Sequence, residues 1–508
     1  MITIKKTRNT YLALTLFIGF ALIPLSCSED FTNVEQEFEV GVDEFFLEDE
    51  AFFELLISAY DPLSFSWQTQ LFGEFMSDNS IVAGEDGCQD IPEFQRLGTL
   101  TFTTTNIAVA RLWDSLFGGV FRASFFLDNA QTREFENKDV FIAEARFLRA
   151  LFYFELVRNF GGVPLKESRF LPGDETSIPR SSIEETYDFI ENDLNAAIPD
   201  LPMSQAEIGR VTKAGAMALL GKVKLYQEDW DGAIEALTPV TSMGFALLPN
   251  FGDVFTTEGE NGVESVFEIQ YSNAEAGNWN NWQENAQSEG NIAAFFSGPR
   301  LSGDPIYDAG FSFNIPQADL VDLYELTDTR KSATILNLFE YLGVTTEQEL
   351  IDSAVEYTPG CGTDTGVYYN KIIPRTGEID GGNQFARSPY NHRYIRYADV
   401  LLMLAEAHNR SATSNENLAK SFLRQVVDRA HGSGVVSIPE SGVQLTERIW
   451  EERRLEFAGE GDRFYDLVRT GQATSRLPGF ETGKHELFPI PEDEILFSQG
   501  NWGQNPGW

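Results

Sequence analysis

The chain has 508 residues and 42% hydrophobic content, enough for a sizeable core in one large domain or in two or three ordinary ones. Its formal net charge of −41 repels phosphate backbones and argues against nucleic-acid binding. The same field opposes strongly anionic polysaccharides and favours a neutral ligand, although acidity also serves solubility in a salty medium.

From the N-terminus, Lys5, Lys6 and Arg8 precede an apolar run over 11–25, and no acidic residue occurs before Glu29. This is the pattern of an export signal. The run is shorter than the about 20 residues that a membrane-spanning helix needs, so segment 1–26 is expected to be removed. Leu25-Ser26-Cys27 resembles a bacterial lipobox, which would make Cys27 the acylated first residue of the mature chain. Acyl chains anchor by about 0.8 kcal/mol per buried methylene.

The strongest helical signal of the first half runs from Ile142 to Asn159, with Ile142, Ala145, Leu148, Phe152 and Leu156 recurring every three or four residues. Gly161, Gly162 and Pro164 stop it. Ser182 and Glu185 form a capping-box pattern ahead of Tyr187, Ile190 and Leu194, and this second helix is expected to pair antiparallel with the first. Lys213 to Val240 reads as two more helices with the small-and-large spacing of a tetratricopeptide repeat, where Gly221 and Ala233 allow close approach. Asp229-x-Asp231-Gly232 begins like a calcium loop but lacks the later ligands, so an inter-helix turn is expected there. Further helical pairs are expected at 397–431 and 444–470. Between Gly244 and Asn391, glycine, asparagine, proline and aromatic residues dominate, with short strand-like runs such as 263–271. Loops on a rigid scaffold are where recognition usually sits.

Four segments, read in this order, resemble the RagB/SusD family of nutrient-binding lipoproteins. They are Ala143-Glu144-Ala145-Arg146-Phe147-Leu148-Arg149-Ala150 running to Gly162-Val163-Pro164-Leu165; Arg396-Tyr397-Ala398-Asp399-Val400-Leu401 with Ala405-Glu406-Ala407; Glu452-Arg453-Arg454-Leu455-Glu456-Phe457 with Glu460-Gly461-Asp462-Arg463; and Pro489-Ile490-Pro491 with Gln504-Asn505-Pro506-Gly507. The resemblance implies a mainly α fold of four tetratricopeptide-like helix pairs with a loop-rich irregular region. The signal peptide at 1–26 would be followed by one glycan-binding domain at 27–508, in an N-terminal part of about 27–240 and a C-terminal part of about 241–508. It also implies no catalytic machinery, outer-membrane anchoring at the cell exterior, and a SusC-like TonB-dependent transporter as partner.

The charged residues of these segments read as scaffold. Glu144, Arg146 and Arg149, like Glu452, Arg453, Arg454 and Arg463, lie at helical spacings that suit ion pairs. Carboxylate pairs such as Glu451/Glu452 or Glu456/Glu460 are expected to stay ionised beside arginines, whereas glycosidase chemistry needs one protonated acid. With four histidines in the chain and no second histidine after His485-Glu486, no metal site or cofactor is expected.

A sugar needs aromatic faces flanked by amides and carboxylates. Asn278-Trp279-Asn280-Asn281-Trp282-Gln283 supplies both with almost no aliphatic residue to build a core, so Trp279, Trp282, Asn280, Asn281 and Gln283 are the expected glycan platform. A second candidate is Trp67 with Asp78 and Asn79, although Phe65, Leu71, Phe72 and Phe75 around Trp67 look like helix core. Trp113, Trp230 and Trp450 read as packing residues, and Trp502 and Trp508 as anchors of the C-terminal tail. Besides Cys27 the chain has only Cys88 and Cys361, either a disulfide between two loops or two unrelated thiols. The charge and the tryptophans together favour a neutral glucan. Two rival readings are a glycoside hydrolase, which would release reducing sugar, and a protein-binding helical-repeat scaffold, which would hold its partner without any glycan.

Overall fold

The computed structural model describes residues 49–85, 87–88, 90–273, 290–361, 364–378 and 388–508. Cys27 lies outside them. The chain divides into two units, Met1–Ala51, of which only the last three residues are described, and Phe52–Trp508, which contains everything that follows.

Helices dominate. In chain order the longer elements are α1 (Asp49–Tyr60), α2 (Ser66–Phe75), β1 (Ser80–Val82), α3 (Pro92–Gly98), α4 (Ile107–Ala130), α5 (Lys138–Phe160), α6 (Ile183–Ala197), α7 (Lys213–Tyr226) and α8 (Trp230–Leu237). They continue as β2 (Ser265–Ile269), α9 (Ile292–Ser297), β3 (Asn314–Pro316), β4 (Ile335–Asn337), β5 (Val367–Tyr369), β6 (His392–Arg396), α10 (Tyr397–Arg410), α11 (Glu416–His431), α12 (Gly442–Phe457) and α13 (Arg463–Arg469).

Local chemistry accounts for most boundaries. Asn106 caps α4 by accepting from the Ala108 and Val109 amides, and the Ser182/Glu185 capping box starts α6. Asp229 accepts from the Gly232 amide and opens α8, so the Asp-x-Asp-Gly stretch is the expected inter-helix turn. Helix α5 packs against both α4 and α6, α7 against α8, and α10 against α11. A Cβ on Gly221 would stand 2.3 Å from Leu237 Cγ, which shows how closely α7 and α8 approach. Helix α12 packs chiefly on α10, while α13 packs on α2.

Two of the polar residues of α5, Glu144 and Arg149, have partners that helical spacing does not predict. Glu144 is fully buried and meets Arg210 at 2.5 Å, and Arg149 grips Asp193 with two bonds of 2.7 and 2.8 Å. These pairs join different elements because both faces of α5 are covered, and a buried charge is tolerated only when it is paired.

Of three two-stranded antiparallel sheets among the described residues, β1 with β3 and β2 with β6 join the irregular region to elements on either side of it in sequence, and β4 with β5 lies within it. Ser80 faces Pro316, Ser265 faces Arg396 and Ile335 faces Tyr369. Cys88 and Cys361 are bonded, with their Cα atoms 5.1 Å apart, across 273 residues of sequence.

Helix α2 is pressed against the turn between α12 and α13. A Cβ on Gly73 would stand 1.7 Å from the Gly461 carbonyl oxygen, and Gly461 itself has φ +98°, so neither position accepts a side chain. Glu74 is fully buried and accepts from the Gly459 and Gly461 amides at 3.1 and 2.9 Å. Burial nevertheless pushes its carboxyl up to about 7 from 4.5. Because the folded value is the higher one, the contribution of Glu74 to stability is present below pH 4.5 and is lost as the pH rises through about 7. Glu74→Gln should remove this dependence. Thermal melts from pH 4.5 to 8 should show the variant gaining on the wild type as the pH rises; a constant difference would refute the assignment.

Candidate functional site

Helix α2 begins beside the irregular region. Its N-terminal Ser66 hydroxyl lies 2.8 Å from the Tyr271 hydroxyl, which also donates to the Ser64 carbonyl at 2.9 Å. Leu71, Phe72 and Phe75 are fully buried, as their spacing implies. Trp67 is not: it is half-buried, with its ring 6.1 Å from that of Phe296 on α9. Phe296 is held edge-on by Phe94 and Phe313 and touches half-buried Phe311 at 6.1 Å. Trp67 and Phe311 are thus two partly exposed rings resting on one buried ring.

Trp279, Asn280, Asn281, Trp282 and Gln283 lie outside the described residues. Their attachment points are described. Asn273 donates to the Glu378 carbonyl at 2.9 Å, and the Asn291 amide donates to the Ser388 carbonyl at 2.8 Å. Described residues just before positions 274–289 and 379–387 are thus bonded to each other, and so are described residues just after them. Asn291 also caps α9, the helix that carries Phe296, so in sequence Trp279 and Trp282 stand shortly ahead of the support of Trp67.

Residues 306–313 extend this surface. They run beside α9 through bonds from the Phe311 and Phe313 amides to the Phe295 and Phe296 carbonyls, 2.7 Å each. They also run beside 374–376, through a bond of 2.9 Å from the Asp308 amide to the Pro374 carbonyl. Here Tyr307 meets Tyr341 edge-on at 5.3 Å, and the Arg375 guanidinium lies over Tyr307 at 4.7 Å. Asp304 accepts from the amides of Ile306 and Tyr307 at 2.8 Å and from the Tyr341 hydroxyl at 3.2 Å. Burial and the Asp304 charge push the Tyr341 phenol up to about 12, so it remains a neutral donor. Nearby, the Cys361 amide donates to the Gly84 carbonyl at 3.0 Å, and Glu85 pairs with Arg300 at 3.2 Å. Tyr307, Phe311 and Tyr341 carry no periodic signal in the sequence; only the aromatic richness of the insert points to them.

Asp78 and Asn79, expected beside the ligand, are instead committed inside the protein. Arg463 grips Asp78 with bonds of 2.6 and 2.8 Å, and Arg454 donates to the Asn79 side chain at 2.8 Å. Burial pushes the Asp78 carboxyl up, but Arg463 and Arg454 outweigh it and hold it below the usual range. Asn79 is fully buried, and its carbonyl accepts from Tyr369 and the Gln317 amide. These two residues lock the end of α2 to α12 and α13. Asp78 is held by Arg463, and the Asn79 side chain is fully buried.

The carboxylates of the C-terminal motif are similarly engaged. Glu456 contacts Arg429, Arg396 and Arg330 at 2.5, 2.9 and 3.1 Å, and Glu452 contacts Arg330 and Arg448 at 2.6 and 2.8 Å. Burial raises the Glu456 carboxyl, yet the three arginines hold it far below the carboxylate range. Its partners come from distant elements rather than from the neighbouring Arg453 and Arg454. A permanently ionised, fully buried carboxylate cannot act as a general acid. Trp113 is 2% exposed, packed between Phe117 and Phe160, and Trp502 and Trp508 tie the tail to Ile178 and Lys484.

The exposed half of this surface can therefore stack against the C–H faces of pyranose rings and hydrogen-bond their hydroxyls. Residues 263–485 match the family model described as the SusD family, and residues 64–225 match one described as starch-binding, associating with outer membrane. A laminarin-binding SusD-like protein of solved structure is 33% identical and superposes with a TM-score of 0.79 over 90% of this chain and 99% of that one. Surface glycan-binding protein A from Bacteroides thetaiotaomicron, solved with laminarihexaose, is 26% identical with a TM-score of 0.78, covering 90% and 99%. SusD-like protein P38 of Formosa agariphila is 28% identical over 499 residues, 92% of this chain and 93% of that protein. The chain belongs to the SusD family. Among the described residues, no helix is long and apolar enough to cross a membrane.

Proposed function

We propose that this protein is a lipid-anchored surface glycan-binding protein that captures a neutral glucan of the laminarin type and passes it to a SusC-like TonB-dependent transporter, without cleaving it. The observation that carries the reading is the run of rings Trp67, Phe296 and Phe311, of which Trp67 and Phe311 are partly exposed. The laminarin-binding relative at 33% identity supports the choice of sugar, and the acidic charge supports a neutral one. Binding without cleavage is favoured because Glu452 and Glu456 are consumed by arginines. Calorimetry against laminarin-type oligosaccharides tests the binding, and co-purification of a large barrel protein from the native outer membrane in mild detergent tests the partner.

Anchoring has its own test. Metabolic labelling with a fatty-acid analogue should mark the wild type and leave the Cys27→Ala variant unlabelled; equal labelling of both would remove the lipid anchor from the account.

A further inference from the structure

Beneath the Trp67 helix lies a small cavity of about 10 Å³, lined by Gln70 of α2, Arg158 of α5, His392 of β6 and the turn through Gly461. Among the side chains that line it, Gln70 Oε1, His392 Nδ1 and Arg158 Nη1 have no hydrogen-bonding partner, and neither does Arg393 Nε, which lies 3.9 Å from Glu268. Gln70 is 4% exposed and His392 7% exposed, so bulk water does not serve them.

The roles of these atoms are set by their other bonds. Gln70 Nε2 donates to the Gly459 carbonyl at 3.4 Å, which fixes the amide orientation and leaves Oε1 as an acceptor. His392 bonds the Glu460 main chain, and burial keeps its ring neutral by lowering it to about 4. Its Nδ1 is then a second acceptor. Arg158 directs Nε and Nη2 to Glu155 at 2.8 and 2.7 Å, while Nη1 reaches Asp462 only at 3.5 Å, which leaves a donor. Two acceptors and one donor around a space the size of one water match a single water, which has two hydrogens to give and lone pairs to receive.

We infer that this cavity is a built site for one buried water, which donates to Gln70 Oε1 and His392 Nδ1 and accepts from Arg158 Nη1. The water gives α2 a polar tie to α5 and β6, three elements far apart in sequence. Gln70 is one helical turn beyond Trp67, so the water steadies the base of the ring surface from below.

A crystal structure of the mature chain at about 1.5 Å resolution tests it. The expected result is one full-occupancy density peak within about 2.7–3.1 Å of all three atoms. In Gln70→Leu the peak should be lost and the melting temperature lowered, because His392 Nδ1 is then left unserved. A wild-type cavity without density, a peak touching fewer than two of the three atoms, or a peak unchanged in Gln70→Leu would overturn the site.

Discussion

Arg396→Met should destabilise the protein by about 3–5 kcal/mol, the usual cost of removing one partner from a buried charge network. Arg396 is 1% exposed and contacts Glu264, Glu456 and Glu460 at 2.8, 2.9 and 2.8 Å. Methionine fills much of the volume but leaves three buried carboxylates to share Arg330, Arg429 and Lys371. Urea unfolding should show the midpoint falling with the slope unchanged. Glycan affinity of the folded fraction should stay near that of the wild type, since the network is scaffold. A midpoint within experimental error of the wild type would mean that the remaining cations suffice.

The second large effect concerns binding. A sugar covering about 100 Å² of one indole gains at most about 2.5 kcal/mol at about 25 cal/mol per Å², so alanine at Trp279 or Trp282 should weaken affinity by up to about 50-fold. Neither substitution should shift the melting temperature much. Trp67→Ala should differ, because the indole both faces outward and rests on Phe296: affinity and melting temperature should fall together. Calorimetry and thermal melts of the three variants separate these cases. If Trp279→Ala and Trp282→Ala bind like the wild type while Trp67→Ala does not, the platform consists of Trp67, Phe311 and Tyr307.

Helices were readable from the sequence because their causes are local. The 3.6-residue spacing of Ala145, Leu148 and Phe152, the Ser182/Glu185 box and the Asp229 turn each lie within one helix or one loop. Charge partners were not readable: Glu144 finds Arg210, and Asp78 finds Arg463 at a distance of 385 residues in sequence. Asp78 and Asn79 therefore looked like free polar groups at the edge of an aromatic helix, when a distant motif had already claimed them. Tyr307, Phe311 and Tyr341 were hidden for the converse reason. In an irregular, glycine-rich insert, exposure follows from hydrogen bonds to α9 and to residues 374–376, and no periodic pattern announces it. Trp67 fell between the two cases, since its neighbours at 71, 72 and 75 are core and only the fold shows that its own ring is half outside.

On the proposed function the chain holds a neutral glucan and leaves it intact. Isothermal titration of the mature chain with laminarihexaose, followed by chromatography of the recovered sugar after prolonged incubation, tests it most directly. Saturable binding that Trp67→Ala weakens, with the hexasaccharide recovered whole, is the expected result; no heat of binding to laminarihexaose or laminarin, or the release of shorter sugars, would contradict it.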